Sequence, residues 1–446
     1  MNNLQTISRD YVLRKTKDKG YILYDKSKDK KYIITPKLFT FLYLLKKTPN
    51  DLVNLFKILK SNSIEINDIK RFLSQKEFSN LLSNKIDFLS SEGFDLYNTA
   101  KELSPFTEYS PERIDLLITK RCNLNCKHCF ENSSPNIKSS IIELSDVSRL
   151  FKEFDDLNIQ TLKITGGEPF CYPHIEDILK LTDRTRFECI ILTNAMLIKE
   201  SSMDIISENG IKLGISIDGI NSESHDYIRG SGSFEILQKK LLLLKKHKVK
   251  YSMTLSLHKE NFKEISDISE FVLSDLGARR LFINQLKPLG RAYMNKDIFI
   301  TDEDYNWVKD EVNRLSEFYN DKVIISDDSL FHNNDNDNEY NEKNFSLVCS
   351  AGNKSLSIDN LLDVYPCVYG NGIDIFKMGN LRENSLLEIW NSDKWKDFRG
   401  KTTLIDIDGC SSCEYNKFCD VKNCRLKPVY EGKSFYSHVS YCKKGN

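Results

Sequence analysis

The 446-residue chain carries no net charge, because 64 lysines and arginines balance 64 aspartates and glutamates. Without a surplus of either sign there is no long-range field to gather nucleic acid or an anionic membrane, so neither is expected as a partner. No apolar run approaches the roughly 20 residues that a membrane span requires. The opening stretch MNNLQTISRDYVLRK lacks the apolar core of a secretory signal, so a cytoplasmic protein is expected. Residues 1–100 contain no cysteine, although the chain has twelve. In a reducing compartment, cysteines gathered late in a chain are expected as metal ligands rather than as disulfides. What is present otherwise, 29% charged and 40% hydrophobic residues, fits an ordinary soluble chain long enough for two or three domains.

Three regions separate by pattern. In the first, residues 11–14 (YVLR) and 21–24 (YILY) read as strands around the turn residues Asp18-Lys19-Gly20, and 31–34 as a third strand. Thr35-Pro36 then offers a helix cap and a proline at the first helical position, followed by an apolar stripe with Phe39, Phe41 and Leu42. Further helices are expected near 50–59 and 68–82. Three strands followed by three helices make a winged-helix-like module over residues 1–100. The second region, 111–320, alternates strand and helix, with strands expected at 113–119, 161–165, 188–193, 212–217, 250–256 and 280–285, and helices such as 145–156 and 234–246 between them. That is an α/β pattern of βα units, a partial (β/α)6 barrel, in which ligands bind at the C-terminal ends of the strands. The polar tract 331–344 (FHNNDNDNEYNEKN) reads as a linker to a cysteine-rich third region, 345–446.

The loop after the first barrel strand reads KRCNLNCKHCF, with Cys122, Cys126 and Cys129 at C-x3-C-x2-C spacing. Three thiolates can hold only three irons of a [4Fe–4S] cube, which leaves one iron open to a small molecule. Short cysteine spacings also suit zinc. The aromatic Phe130 follows directly, and Thr165-Gly166-Gly167-Glu168-Pro169 stands where the second barrel strand ends. Glycines there let backbone approach a ligand, and a carboxylate suits a cation. These residues together resemble the radical S-adenosylmethionine (SAM) superfamily.

The resemblance implies that Cys122, Cys126 and Cys129 bind the cluster on which SAM sits and that Phe130 lies beside it. It implies that Gly166, Gly167 and Glu168 receive the SAM ammonium. Asn194, Ser216 and Asp218, at strand ends, and Arg229, in the segment HDYIRG, are implied as contacts to the SAM ribose and carboxylate.

The third region holds Cys349, Cys367, Cys410, Cys413, Cys419, Cys424 and Cys442. With Tyr365-Pro366 and Met378-Gly379-Asn380-Leu381 beside them, these cysteines resemble the SPASM domain, a module for two auxiliary clusters. Zinc is the alternative for these cysteines too. The chain departs from the family pattern in two places. Four residues, 420–423, separate Cys419 from Cys424 where three are usual, and Leu362 stands where a glycine is usual. By resemblance, Cys410, Cys413, Cys419 and Cys442 hold one auxiliary cluster, and Cys349, Cys367 and Cys424 the other. Residues 344–348 contain no further cysteine, so the second auxiliary cluster is expected to keep an open iron suited to a soft thiolate. No role is assigned to Cys171 and Cys189.

The whole pattern is similar to that of sactipeptide and ranthipeptide maturases, radical SAM enzymes that join sulfur to carbon in ribosomally made peptides. It implies three [4Fe–4S] clusters, SAM, a precursor peptide whose leader docks on the N-terminal module, and an electron donor such as flavodoxin or ferredoxin. Carbon–carbon crosslinking of a peptide and sulfatase maturation are the alternatives.

Overall fold

The structure is a computed structural model, and it describes residues 11–16, 20–26, 28–47, 110–138, 140–325, 350–398, 407–410, 412, 424, 426–430 and 432–437. The helices expected near 50–59 and 68–82, the tract 331–344, and Cys349, Cys413, Cys419 and Cys442 lie outside these residues. Two units form. The first takes residues 1–112 together with 149–161 and 184–188, and the second takes the remainder.

In the first unit, β1 (Tyr11–Thr16), β2 (Gly20–Asp25) and β3 (Lys30–Ile34) form an antiparallel meander in that order. Tyr24 donates to Asp29 at 2.9 Å across the second turn, where Asp29 takes a left-handed φ of 52° that a short polar side chain tolerates. Helix α1 (Pro36–Lys47) starts as its sequence predicts, with the Thr35 hydroxyl accepting from the Leu38 amide at 3.2 Å. Phe39, Phe41 and Leu42 are buried, and the Phe39 ring meets Tyr21 at 4.7 Å. Strand β3 turns most of its side chains to solvent, with Ile33 76% exposed.

From residue 113 on, strands and helices alternate: β4 (Arg113–Leu117), α2 (Leu144–Asp156), β5 (Thr161–Thr165), α3 (Ile175–Leu181), β6 (Glu188–Thr193), α4 (Glu200–Glu208), β7 (Lys212–Ser216), α5 (Ser222–Arg229), α6 (Ser233–Lys246), β8 (Tyr251–Leu257), α7 (Ile265–Glu270) and β9 (Leu281–Gln285). After these come α8 (Arg291–Met294), α9 (Asp302–Phe318), β10 (Val323–Ile325), β11 (Ser355–Ile358), β12 (Asp363–Tyr365), β13 (Gly379–Asn380), α10 (Leu386–Trp390) and α11 (Leu426–Tyr430). The six expected barrel strands are all present. The sheet is longer than expected, however, running β10-β9-β8-β7-β6-β5-β4-β11-β12-β13. Strand β11 pairs in parallel with β4, and β12 and β13 follow it antiparallel, so residues from the cysteine-rich region extend the barrel's own sheet.

Strands β5 to β8 alternate fully buried and half-buried positions, the period of two that a strand imposes. Leu162, Ile164, Ile191, Leu213, Ile215, Met253 and Leu255 form the dry face, each at most 1% exposed. The other face carries Gly214, Ser216, Thr254 and Ser256. The register puts Ser216 beside Thr254 and Ser256 beside Asn284, a polar row across three strands. Among the described residues no helix is long and apolar enough to cross a membrane.

Candidate active site

The loop after β4 gathers the three clustered cysteines. Cys122 and Cys126 are each 8% exposed, and Cys129 is half-buried. The loop is held by its backbone. The Cys122 amide donates to Ser134 O at 3.3 Å, the Lys127 amide to Ile228 O at 2.9 Å, and the Cys129 amide to Cys126 O at 3.3 Å. Arg291, on α8, reaches across with Nε to Cys126 O at 2.8 Å and Nη2 to Ser133 O at 2.7 Å, while its amide donates to Cys129 O at 3.0 Å. Asn295 donates to Lys127 O at 3.2 Å. Gly290 makes this clamp possible. Its φ is 53°, and a Cβ there would stand 2.4 Å from Phe130 O and 2.5 Å from Cys129 O. Sequence reading missed Gly290, Arg291 and Asn295, because the only trace of their task is a glycine before an arginine some 160 residues downstream.

Gly166 and Gly167 have a structural reason of their own. A Cβ on Gly166 would meet Thr119 O at 2.4 Å, and one on Gly167 would meet Arg121 O at 2.4 Å. The Gly167 amide donates to Thr119 O at 2.7 Å and the Glu168 amide to Arg121 O at 2.9 Å. The glycines thus press the end of β5 against the root of the cysteine loop, so the close approach they allow is to protein backbone as well as to the ligand expected there.

Glu168 is buried, and three donors hold its carboxylate: the Thr193 hydroxyl at 2.6 Å, the Asn194 amide at 2.8 Å and the Phe170 amide at 3.1 Å. Burial raises its pKa, against the pull of those donors. Asn194 does not present a free side chain to a ligand. Its Nδ2 donates to Asn123 Oδ1 at 2.9 Å and lies 4.0 Å from Cys122 Sγ, and its Oδ1 accepts from the Met196 amide at 3.0 Å. It pins the end of β6 to the cysteine loop.

Asp218 likewise differs from its expected role as a ligand contact. It is 0% exposed, and its carboxylate accepts from Arg229 Nε at 2.5 Å and from the Ser256 amide at 2.8 Å. Burial pushes this carboxyl up, but Arg229 and the histidines His128, His225 and His258 pull it down to about 2. Asp218 therefore aims Arg229, whose charge also bears on Cys126 and Cys122. Ser216 ends β7 on the half-buried face. Phe130 is 38% exposed and packs edge-on against Tyr369 at 5.1 Å, next to the turn that follows Cys367.

The thiols fit a cationic metal group. Burial, reinforced by the charges of Glu168, Cys126 and Cys129, pushes the Cys122 thiol up to about 12, and burial raises Cys126 too. Such sulfurs ionise only where positive iron offsets their charge. Among the described residues, no three His, Cys, Asp or Glu side chains converge on a point that a single metal ion could fill. The irons of a cube stand apart, so its ligands need not converge.

Residues 116–272 match the radical SAM superfamily, and residues 349–414 match the SPASM iron–sulfur cluster-binding domain. The chain therefore carries a radical SAM domain and a SPASM domain. It is similar to AlbA of Bacillus subtilis strain 168, an antilisterial bacteriocin subtilosin biosynthesis protein. The two are 29% identical over 334 residues, 73% of this chain and 69% of AlbA. The AdoMet-dependent heme synthase of Methanosarcina barkeri is 24% identical over 347 residues, 75% of this chain and 96% of that protein. Streptococcus suis SuiB, solved with its precursor peptide SuiA, superposes with a TM-score of 0.72 at 20% identity over 98% of this chain and 100% of SuiB. The chain therefore shares its fold with SuiB along nearly its whole length.

The buried histidines give its stability a pH dependence. His225 accepts from the Asp218 amide through Nδ1 at 3.1 Å, and burial holds it down to about 4 from the ordinary 6.5. The unfolded chain then binds this proton at a higher pH than the folded one. The contribution is complete above pH 6.5 and is lost as the pH falls towards 4, about 2 kcal/mol of it between pH 7 and pH 5. Urea unfolding of His225→Gln is expected to show a pH slope shallower by that amount. Equal slopes in the two proteins would show that His225 is not held neutral.

Proposed function

We propose that this chain forms a thioether, sulfur to carbon, in a ribosomally made precursor peptide. The observation that carries the reading is the likeness to AlbA. At 334 residues it runs well beyond the matched stretch 116–272, so it rests on more than the shared SAM-cleaving core. The fold shared with SuiB, whose structure holds a precursor peptide, supports a peptide substrate because it takes in the N-terminal region as well. The heme synthase likeness marks the framework as one that serves several substrates.

When bound, a [4Fe–4S] group on Cys122, Cys126 and Cys129 and a SAM on its open iron would supply a 5′-deoxyadenosyl radical that takes a hydrogen atom from the peptide. The chain's own part is to position and to exclude water. Glu168 has three of its roughly four lone-pair sites filled, which leaves one for the SAM ammonium. Arg229, aimed through Nε by Asp218, keeps its terminal nitrogens for the SAM carboxylate. Gly166 and Gly167 keep the second strand end against the cysteine loop, and Asn194 does the same for the third. Ser216 faces the ribose, and Phe130 with Tyr369 walls the approach. Two auxiliary groups are assigned to Cys410, Cys413, Cys419 and Cys442, and to Cys349, Cys367 and Cys424. A flavodoxin or ferredoxin supplies the electron.

The chemistry is tested on the peptide. A precursor whose cysteines are changed to serine is expected to bind with unchanged affinity and to give no crosslink. A mass loss of two hydrogens in that variant would instead identify a carbon–carbon crosslinking enzyme.

Leader recognition is assigned to β3, an edge strand among the described residues with an apolar side chain in solvent. Peptides add to such edges by main-chain hydrogen bonds. Ile33→Asp is expected to weaken leader binding about tenfold, or 1.4 kcal/mol, with SAM cleavage unchanged. Anisotropy titrations showing equal affinity would remove β3 from the binding site.

A further inference from the structure

Helix α11 ends in Tyr430, a half-buried residue whose hydroxyl oxygen is shielded from solvent and has no hydrogen-bond partner among the described residues. The helix packs on the turn Val368–Gly370, which directly follows Cys367. A Cβ added to Gly370 would lie 3.9 Å from a Leu426 methyl. The ionisable groups whose charges bear on the hydroxyl are Cys367, Cys424 and Glu131. Cys367 and Cys424 are both half-buried. An unmet buried hydroxyl costs about 1–3 kcal/mol, and such groups nearly always have a partner in a folded protein. Here an acceptor is missing near two cysteines that the sequence pattern assigns to one iron–sulfur group.

We propose that the Tyr430 hydroxyl donates a hydrogen bond to a sulfur of the auxiliary iron–sulfur group held by Cys367 and Cys424, and so raises its reduction potential. The inference rests on the assignment of those two cysteines as ligands. Tyr430 stays protonated over the working pH range, since burial and then the charges of Cys367, Cys424 and Glu131 all push its pKa up, so it acts as a donor. Adding one electron to an iron–sulfur group places negative charge on its sulfurs. An O–H dipole aimed at them stabilises the reduced form, and hydrogen bonds to sulfur are among the determinants of cluster potential. No proton is transferred and no bond is broken.

The test uses the full chain, loaded anaerobically with iron and sulfide, with Cys122, Cys126 and Cys129 changed to alanine so that only auxiliary signals remain. Tyr430→Phe deletes one oxygen and keeps the ring. In a potentiometric EPR titration it is expected to lower the ratio of reduced to oxidised auxiliary cluster about tenfold at a fixed potential. That corresponds to about 59 mV for a one-electron couple. It should also abolish a deuterium-exchangeable proton coupling to the reduced cluster. An unmoved potential overturns the inference, and so does loss of the iron itself, which would mark a structural role. Cys367→Ala and Cys424→Ala separate the two ideas. Unchanged auxiliary iron in both defeats the ligand assignment. A lost cluster there, combined with an unmoved potential in Tyr430→Phe, defeats the hydrogen bond alone.

Discussion

Cys126→Ala is expected to give a folded protein that makes no 5′-deoxyadenosine from SAM yet retains its auxiliary iron. The fold should survive because the loop is held through backbone atoms that the substitution leaves in place. Cys126 O accepts from Arg291 Nε and from the Cys129 amide, and Lys127 bonds through both its amide and its carbonyl. What is lost is one of three sulfurs, and a cube with two ligands in this loop has no means of presenting a single open iron to SAM. Chromatography of the reaction, with iron and sulfide counted on the same sample, reads both halves of the expectation. SAM cleavage persisting in the variant would take the radical cluster away from this loop.

Arg229→Met should be the most destabilising single change near the site. Arg229 and Asp218 are 8% and 0% exposed, and removing the arginine leaves the carboxylate buried with only the Ser256 amide as donor. Breaking a buried pair from one side costs about 3–5 kcal/mol. Replacing both partners, Arg229→Met with Asp218→Leu, should cost less than Arg229→Met alone, because no uncompensated charge remains. Chemical denaturation of the two proteins decides it. A single variant as stable as the parent would mean that the pair is not formed in solution.

Most of the fold was legible because the barrel strands are short runs rich in apolar residues, separated by helix-length segments. Strands 161–165 and 188–193 fall where the pattern puts them. The three extra strands β11, β12 and β13 were not legible. Ser355–Ile358, Asp363–Tyr365 and Gly379–Asn380 are four, three and two residues long, too short for an alternation to stand out, and the first two are buried at every position. Their partners lie on β4 and on each other, and a short run carries no record of a distant partner. The helical stretches 145–156 and 234–246 needed only local pattern, and each begins within a residue of its expected start.

Local chemistry, by itself, determined the kind of site. Three cysteines within eight residues, and a glycine pair before a glutamate, set the expectation of a cube with an open iron and a close approach of backbone, because ligand type and spacing are properties of the chain before it folds. The tertiary structure alone decided which polar residues remain for a ligand. Asp218, Asn194 and Glu168 are all expected from sequence as contacts to a ligand, Glu168 to an ammonium and the other two from strand ends. Only the folded chain brings Arg229 onto Asp218 and Asn123 onto Asn194 while leaving Glu168 one site open. The clamp from Arg291 to the cysteine loop has the same origin. Carbonyls have no sequence signature, and a hydrogen bond spanning 165 positions exists only once the sheet has brought its ends together.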